Sequence, residues 1–347
     1  FSQIVEDLKK INVDSLREVL PELKDADRID ALNKIALSIN LVNSDSSIFI
    51  ANRAIKMAEK IDYQKGIADG YFTLGNVYYE LDSLKLSVVS YLNALQLYEQ
   101  LPPCIEMGIT LRHLSILNWL VGRTEKAIDY NRQQIKLYDQ LEVPLIYEWF
   151  TVISIAYFFD GIKRYDSIYF YCDKAYDVAE KHSDTNFIAF TYSNLFVFKL
   201  HHAQAISDNN EELYHCISLG LKALGFNDKI KIEHTIRAIW QMFLNINLAK
   251  AYFELGSEEN INTALGYMEK VESIYDTISF NYSDIIELYN LRAALKSRSG
   301  EYENAIMYYE MGLEEYSKNI PNFEVDSKFD QILFDIIDKK IIQSVYD

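Results

Sequence analysis

The stretch Tyr71-Phe-Thr-Leu74-Gly75-Asn-Val-Tyr78, followed nine residues later by Ser87-x3-Tyr91-x2-Ala94, decides the fold. Positions 71, 74, 75 and 78 follow i, i+3, i+4, i+7, one stripe of a helix. Ser87, Tyr91 and Ala94 mark a second helix by the same rule. Gly75 and Ser87 are small where two antiparallel helices must approach closely, and Tyr78 and Tyr91 fill the space beside them. The unit is a helical hairpin.

The unit recurs along the chain. Leu111-x2-Leu114-Ser115 pairs with Ala127, and Val152-x2-Ile155-Ala156-x2-Phe159 with Ile168-x3-Cys172-x2-Ala175. Leu248-Ala249-x2-Tyr252 pairs with Ala264-x3-Met268, and Tyr289-x3-Ala293 with Ala305-x3-Tyr309-x2-Gly312. The second-helix column reads Ser47, Ser87, Ala127, Ile168, Cys216, Ala264, Ala305, in steps of 40, 40, 41, 48, 48 and 41. Such a fixed period is the signature of a stacked repeat protein. Asn118, Asn131 and Gln134 stand in the third unit where apolar residues are expected, and Ile168 stands where a small one is. The first helix of the fifth unit is expected near Tyr192 to Leu200.

Composition agrees with a helical reading. The 347 residues include only 12 Gly and 5 Pro, too few for a many-turned β fold. Gly122-Arg-Thr-Glu, Asp160-Gly161, Gly256-Ser-Glu-Glu and Ser299-Gly300-Glu punctuate the hairpins, while Pro102-Pro103, Pro144 and Pro321 fall at unit boundaries.

This pattern resembles the tetratricopeptide repeat (TPR), in a long version of about 40 residues where the usual period is about 34. The resemblance covers roughly residues 27–318. It is similar to repeats of bacterial signalling and regulatory proteins, and Ala58 to Ala68 running into Tyr71 has their look. It implies an all-α fold, a right-handed superhelical α-solenoid of about seven helix-turn-helix repeats over residues 27–320. Capping helices are expected at 1–26 and 321–347. The last is a stripe of Phe329, Ile332, Leu333, Ile336, Ile337 and Ile341, read as a cap over the open end of the stack or as a connector to a further domain.

The function classes narrow by elimination. Asp plus Glu number 51 and Lys plus Arg 34, a net charge of −17, which repels phosphate backbones and argues against a nucleic-acid partner. No apolar run is long enough to span a bilayer. The three cysteines, Cys104, Cys172 and Cys216, form no CxxC. No Gly-rich phosphate loop, HExxH or GxSxG is present. Neither an enzyme nor a cofactor is expected. His201, His202, His215 and His234 surround the fifth unit beside Cys216, but adjacent helical residues diverge by about 100°, so they read as surface histidines and Cys216 as a packed hydrophobe. Most of the 26 Tyr and 18 Phe fall at repeat core positions.

In TPR arrays the first helices line a concave groove. The resemblance therefore implies a partner-binding groove of Phe72, Asn76 and Tyr79, then Arg112, Ile116 and Trp119, then Ile153 and Tyr157, then Ile246, Lys250 and Phe253. The clamp that some TPRs hold for a terminal carboxylate is not expected, because Glu80 stands where it needs an amide or a base. The expected partner is a protein or peptide, and by charge complementarity a basic one. The module reads as the sensor or interaction region of a bacterial regulatory protein, with periplasm favoured over cytoplasm. The alternative is a static scaffold or adaptor that acts by constitutive homo-oligomerisation, for example a homodimer. Residues His201–Glu212 read as an insertion of about eight residues, a surface loop or a binding elaboration.

Overall fold

A computed structural model describes residues 13–40, 42–206, 210–227, 229–275 and 282–319. Among these residues there are fifteen helices and no strand. A short α1 (Val13–Val19) precedes seven consecutive long pairs. These are α2 (Asp25–Ile39) with α3 (Ser44–Lys60), α4 (Gln64–Glu80) with α5 (Leu84–Tyr98), and α6 (Ile105–Leu120) with α7 (Thr124–Tyr138). Then come α8 (Leu145–Gly161) with α9 (Tyr165–Lys181) and α10 (Thr185–Ala205) with α11 (Asn210–Leu224). The series closes with α12 (His234–Leu255) and α13 (Glu258–Tyr275), then α14 (Tyr282–Arg298) and α15 (Tyr302–Asn319). The all-α solenoid expected from the period is present, with one hairpin for each of the seven quoted second-helix positions. The stripe from Phe329 to Ile341 and the first twelve residues lie outside the described residues.

The chain divides into two compact units at Ser167/Ile168. In the first, the core runs between successive hairpins. Ile29, Leu32, Ala51, Ala54, Ile55 and Leu74 form one buried cluster, and Phe72, Tyr91, Ala94, Leu111, Leu114 and Tyr138 another. In the second unit, Phe196, Leu200, Leu213, Cys216, Trp240 and Leu248 bury together, and Met242, Ala264, Met268, Leu288 and Leu295 do so further along.

Helix approach explains the small-residue columns. All seven second-helix positions, from Ser47 to Ala305, are fully buried. In three hairpins a hydroxyl staples the two helices: Ser47 Oγ donates to the Ala36 carbonyl (2.7 Å), Ser87 Oγ to the Gly75 carbonyl (2.9 Å) and Ser115 Oγ to the Ala127 carbonyl (2.8 Å). In the third hairpin the donor sits on the first helix and the acceptor on the second, so the bond is kept while its direction is reversed. Each such buried bond contributes about 1 kcal/mol. At Gly75 the packing admits no Cβ, because one would fall 2.6 Å from the buried Tyr91 ring.

The connections repeat as well. In Ile61-Asp62-Tyr63, Leu81-Asp82-Ser83, Val121-Gly122-Arg123, Ile162-Lys163-Arg164, His182-Ser183-Asp184 and Ser299-Gly300-Glu301, the middle residue has φ between 52° and 81°. The third residue of each donates its N–H to the carbonyl five residues back, at 2.8–3.0 Å. This closes the preceding helix with the 6→1 bond of a Schellman motif. The same turn serves within hairpins and between them.

Of the expected insertion His201–Glu212, residues 201–205 and 210–212 are helical, and 207–209 lie outside the described residues. His201 to Ala205 are the last residues of α10, which has 21 residues where α8 has 17, and Asn210 already opens α11. The fifth first helix thus extends well beyond both ends of the expected Tyr192–Leu200. The step of 48 that follows combines the 22 residues of α12 with the long connection 225–233 that precedes it.

Two glycine substitutions separate packing from helix propensity. Gly75→Ala gains roughly 1 kcal/mol of helix propensity but must displace a fully buried ring, which costs about 1–3 kcal/mol. Gly266 lies inside α13 with open space around its Cα. Gly266→Ala is expected to raise stability by about 0.5–1 kcal/mol, and Gly75→Ala to lower it, in urea unfolding.

Candidate functional site: the first-helix face

The first helices carry many polar residues, and most are silenced by their own backbone. Thr73, Thr110, Thr151 and Thr191 donate their hydroxyls to the carbonyl four residues back at 2.7–2.9 Å. Asn76, Asn118, Asn194, Asn245 and Asn247 do the same with their amides at 2.7–2.8 Å. Such bonds satisfy side chains locally and leave them little to offer a partner.

The predicted groove residues divide by burial. Phe72, Ile153 and Ile246 are buried among their neighbours and are core side chains. The Phe72 ring sits 6.3 Å from that of Tyr91, and Ile246 packs in the cluster of Met242 and Ala249. Asn76, Tyr79, Arg112, Ile116, Lys250 and Phe253 are half-buried. Trp119 and Tyr157 are exposed at 40% and 43%. In the second unit, Phe253 lies under the Arg298 guanidinium at 4.0 Å, and Arg298 Nη1 donates to the Phe253 carbonyl at 2.9 Å.

In the first unit several of these residues meet. Arg112, Ile116 and Trp119 follow i, i+4, i+7 along one face of α6. The indole of Trp119 stacks on Phe158 of α8 at 5.6 Å. Tyr79 of α4 meets the edge of His113 at 5.5 Å, and His113 stacks on Tyr91 at 4.9 Å. Arg112 is set among the hydroxyls of Tyr138, Tyr79, Tyr147 and Tyr91, and burial pushes its pKa down. Among the described residues it makes no hydrogen bond and no ion pair. A half-buried guanidinium without a counter-charge costs free energy.

Other buried polar groups lie in the same region. Asn118, Asn131 and Gln134 are buried despite their polarity. Gln134 Nε2 donates to Tyr138 Oη at 2.9 Å, while the side chain of Asn131, Gln134 Oε1 and Tyr91 Oη lack partners among the described residues.

Two features were missed by sequence reasoning. His113 is fully buried, and its Nδ1 lies 2.9 Å from the Ile109 carbonyl. A carbonyl only accepts, so Nδ1 carries the proton. The second is a cleft of about 90 Å³ lined by the first helices α2, α4 and α6, with Asp30, Asn33, Lys65, Asp69 and Glu106 on its walls. The sequence signal for it was the pair Asp30 and Asp69, one repeat apart on successive first helices.

The surface histidine reading holds for His201, which is exposed, while His202 is half-buried with Nδ1 2.7 Å from Tyr169 Oη. Cys216 is buried, and burial raises its thiol pKa to about 12, as suits a packed hydrophobe. Among the described residues no group of three or more His, Cys, Asp or Glu is placed to hold a metal ion, and no helix is long and apolar enough to cross a membrane.

Two predictions follow the electrostatics. Replacing Arg112 by an uncharged side chain of similar length removes a desolvated charge, so Arg112→Met is expected to raise stability by about 1–3 kcal/mol in urea unfolding. Burial pushes the His113 pKa down from 6.5 to about 4. Between those values the unfolded chain binds more protons than the folded one, so stability falls as pH drops through this window, by up to about 3 kcal/mol. His113→Phe removes this contribution. The wild type should lose more stability than His113→Phe between about pH 7 and about pH 4.5.

Comparison with known proteins bears on the fold. No protein-family model matches the chain, and no curated protein matches it. Solved structures do. The apo form of RapI superposes with a TM-score of 0.63 at 14% identity, covering 91% of this chain and 95% of that one. A tetratricopeptide repeat protein from Parabacteroides merdae gives 0.57 at 14% identity, over 89% and 98%. A Signal Transduction ATPase with Numerous Domains with a tetratricopeptide repeat sensor, from Pyrococcus horikoshii, gives 0.57 at 15% identity, over 79% of this chain and 42% of that one. With its seven-unit period and its Gly75–Tyr91 and Ser87–Gly75 helix contacts, this chain has the fold of the tetratricopeptide-repeat proteins.

Proposed function

We propose that the chain is a protein- or peptide-binding module, the sensor or interaction region of a bacterial signal-transduction or regulatory protein. It binds through the first-helix faces of the repeat region 27–320. The observation that carries this reading is Arg112, a half-buried cation with no ion pair or hydrogen bond among the described residues, set on one stripe of α6 with Ile116 and the exposed Trp119. A guanidinium offers five N–H donors in a fixed fork, and a tryptophan a large flat apolar face. Together they suit an extended peptide, with backbone carbonyls taken by Arg112 and an apolar side chain laid on Trp119. Tyr79 and Tyr157 extend the surface in the first unit, and Lys250 and Phe253 are the corresponding residues of the second. The net charge of −17 favours a partner that is basic elsewhere along its length. The sensor role draws on the signal-transduction protein from Pyrococcus horikoshii, whose tetratricopeptide repeats are described as its sensor.

The second reading is a static scaffold that acts by self-association. Leu86, Val89 and Leu92, exposed on α5, are the apolar residues that favour it.

An array of short peptides graded in charge and apolar content tests both. Basic peptides with an apolar residue should be retained, and Trp119→Ala and Arg112→Met should each weaken their binding by about tenfold or more. Retention of no peptide, or binding indifferent to both variants, overturns the proposal. A dimer that persists on dilution in the ultracentrifuge and is broken by Leu86→Asp would establish the scaffold in its place.

A further inference from the structure

The cleft between α2, α4 and α6 has a definite chemical polarity. Asn33 is only 4% exposed. Its Nδ2 donates to the Gly66 carbonyl at 2.9 Å, which fixes the orientation of the amide, and its Oδ1 is buried without a partner among the described residues. Asp30 accepts from Tyr63 Oη through Oδ2 at 3.2 Å, and among the described residues its Oδ1 is also buried without a partner. Asp69 is already engaged at both oxygens, by Tyr98 Oη at 2.7 Å and Lys65 Nζ at 2.5 Å. The Lys65 charge is thus balanced in place. Lys34, on the rim, is exposed. Glu106 brings a third carboxylate from the next hairpin.

The positions on the cleft wall that lack a donor are therefore acceptors: one carboxylate oxygen and one amide oxygen, both shielded from solvent, with a second carboxylate at the side. An unpaired buried acceptor costs about 1–3 kcal/mol, so the site gains most from a ligand that brings N–H donors and positive charge. A volume of about 90 Å³ matches roughly three waters, each taking about 30 Å³. That is room for the head of one side chain and too little for a nucleotide or a ring cofactor. Hard metal ions want six or more oxygens and no neighbouring ammonium. A guanidinium fits better than an ammonium, because it is planar, carries several donors and is more weakly hydrated.

We propose that this cleft receives an arginine side chain of the peptide partner, with Asp30 Oδ1 and Asn33 Oδ1 accepting its N–H groups and Glu106 supplying further negative charge. The inference rests on the peptide-binding reading and assigns one subsite within it.

The test uses the full chain and three small probes: N-acetyl-arginine amide, N-acetyl-lysine amide and the neutral isostere N-acetyl-citrulline amide. Binding is followed by NMR through the Asn33 side-chain amide. The arginine probe should shift this resonance, the lysine probe should bind more weakly, and the citrulline probe should bind at least about tenfold more weakly than arginine. Asp30→Asn keeps the shape and removes the charge, and should cost the arginine probe about tenfold. Glu106→Gln lies on the other wall, outside the Asp30–Tyr63 contact, and should cost a smaller factor even if Asp30→Asn disturbs folding. Equal binding of arginine and citrulline, no binding to the wild type, or indifference to both variants overturns the assignment. The last would mark the cleft as a water site. If basic peptides still bind in a Trp119-dependent way under any of these outcomes, the peptide-binding reading stands and only the arginine subsite falls.

Discussion

The close approach of two helices within each hairpin is the constraint on which the rest of the structure depends. At Gly75 the ring of Tyr91 occupies the volume a Cβ would need, and the Ser87 hydroxyl reaches the Gly75 carbonyl across the same gap. Ser47 with Ala36 and Ser115 with Ala127 repeat that bond. Helices held this near can bury a full stripe each, and the stripe left over meets the next hairpin. The core is therefore a chain of local clusters, each owned by two or three neighbouring hairpins.

That constraint made the fold legible in the sequence. A hairpin that needs small residues at fixed places writes them at a fixed period, and seven second-helix positions could be aligned with no other information. Turns were legible where glycine stood at the left-handed position, as at Gly122 and Gly300. Asp62, Asp82, Lys163 and Ser183 adopt the same conformation and gave no such signal. The apparent insertion after His201 was misjudged because extra helix and extra loop look alike when only the step between repeats is counted.

The binding surface was less legible, because a face assigned by analogy says which way a Cα points and not how far a neighbour covers it. Phe72, Ile153 and Ile246 stand at groove positions yet are buried by adjoining side chains. Arg112 stays half-buried and Trp119 exposed. Asp30 and Asn33 could not be singled out among 51 acidic residues and many amides, since what distinguishes them is an oxygen left without a donor. Such an absence exists only in three dimensions. Arg112, Asp30 and Asn33 share a property that core packing does not explain: each retains hydrogen-bonding capacity that the described chain leaves unused.

The recurring three-residue turn sets a rule for how this architecture can grow. Its middle residue must be left-handed and its third must reach back five residues, so an added residue would break the bond that ends the helix. Length enters outside this turn, in the longer connections 99–104, 139–144 and 225–233 and in two of the helices. In α10 and α12 it enters as four to five residues of helix beyond the 17 of α8. That is a little over one turn of about 3.6 residues, which returns the buried stripe to nearly the same side. Where a rod of this scaffold lengthens, it does so by about a whole turn, and a longer rod carries new surface beyond the edge of the stack without disturbing what lies within.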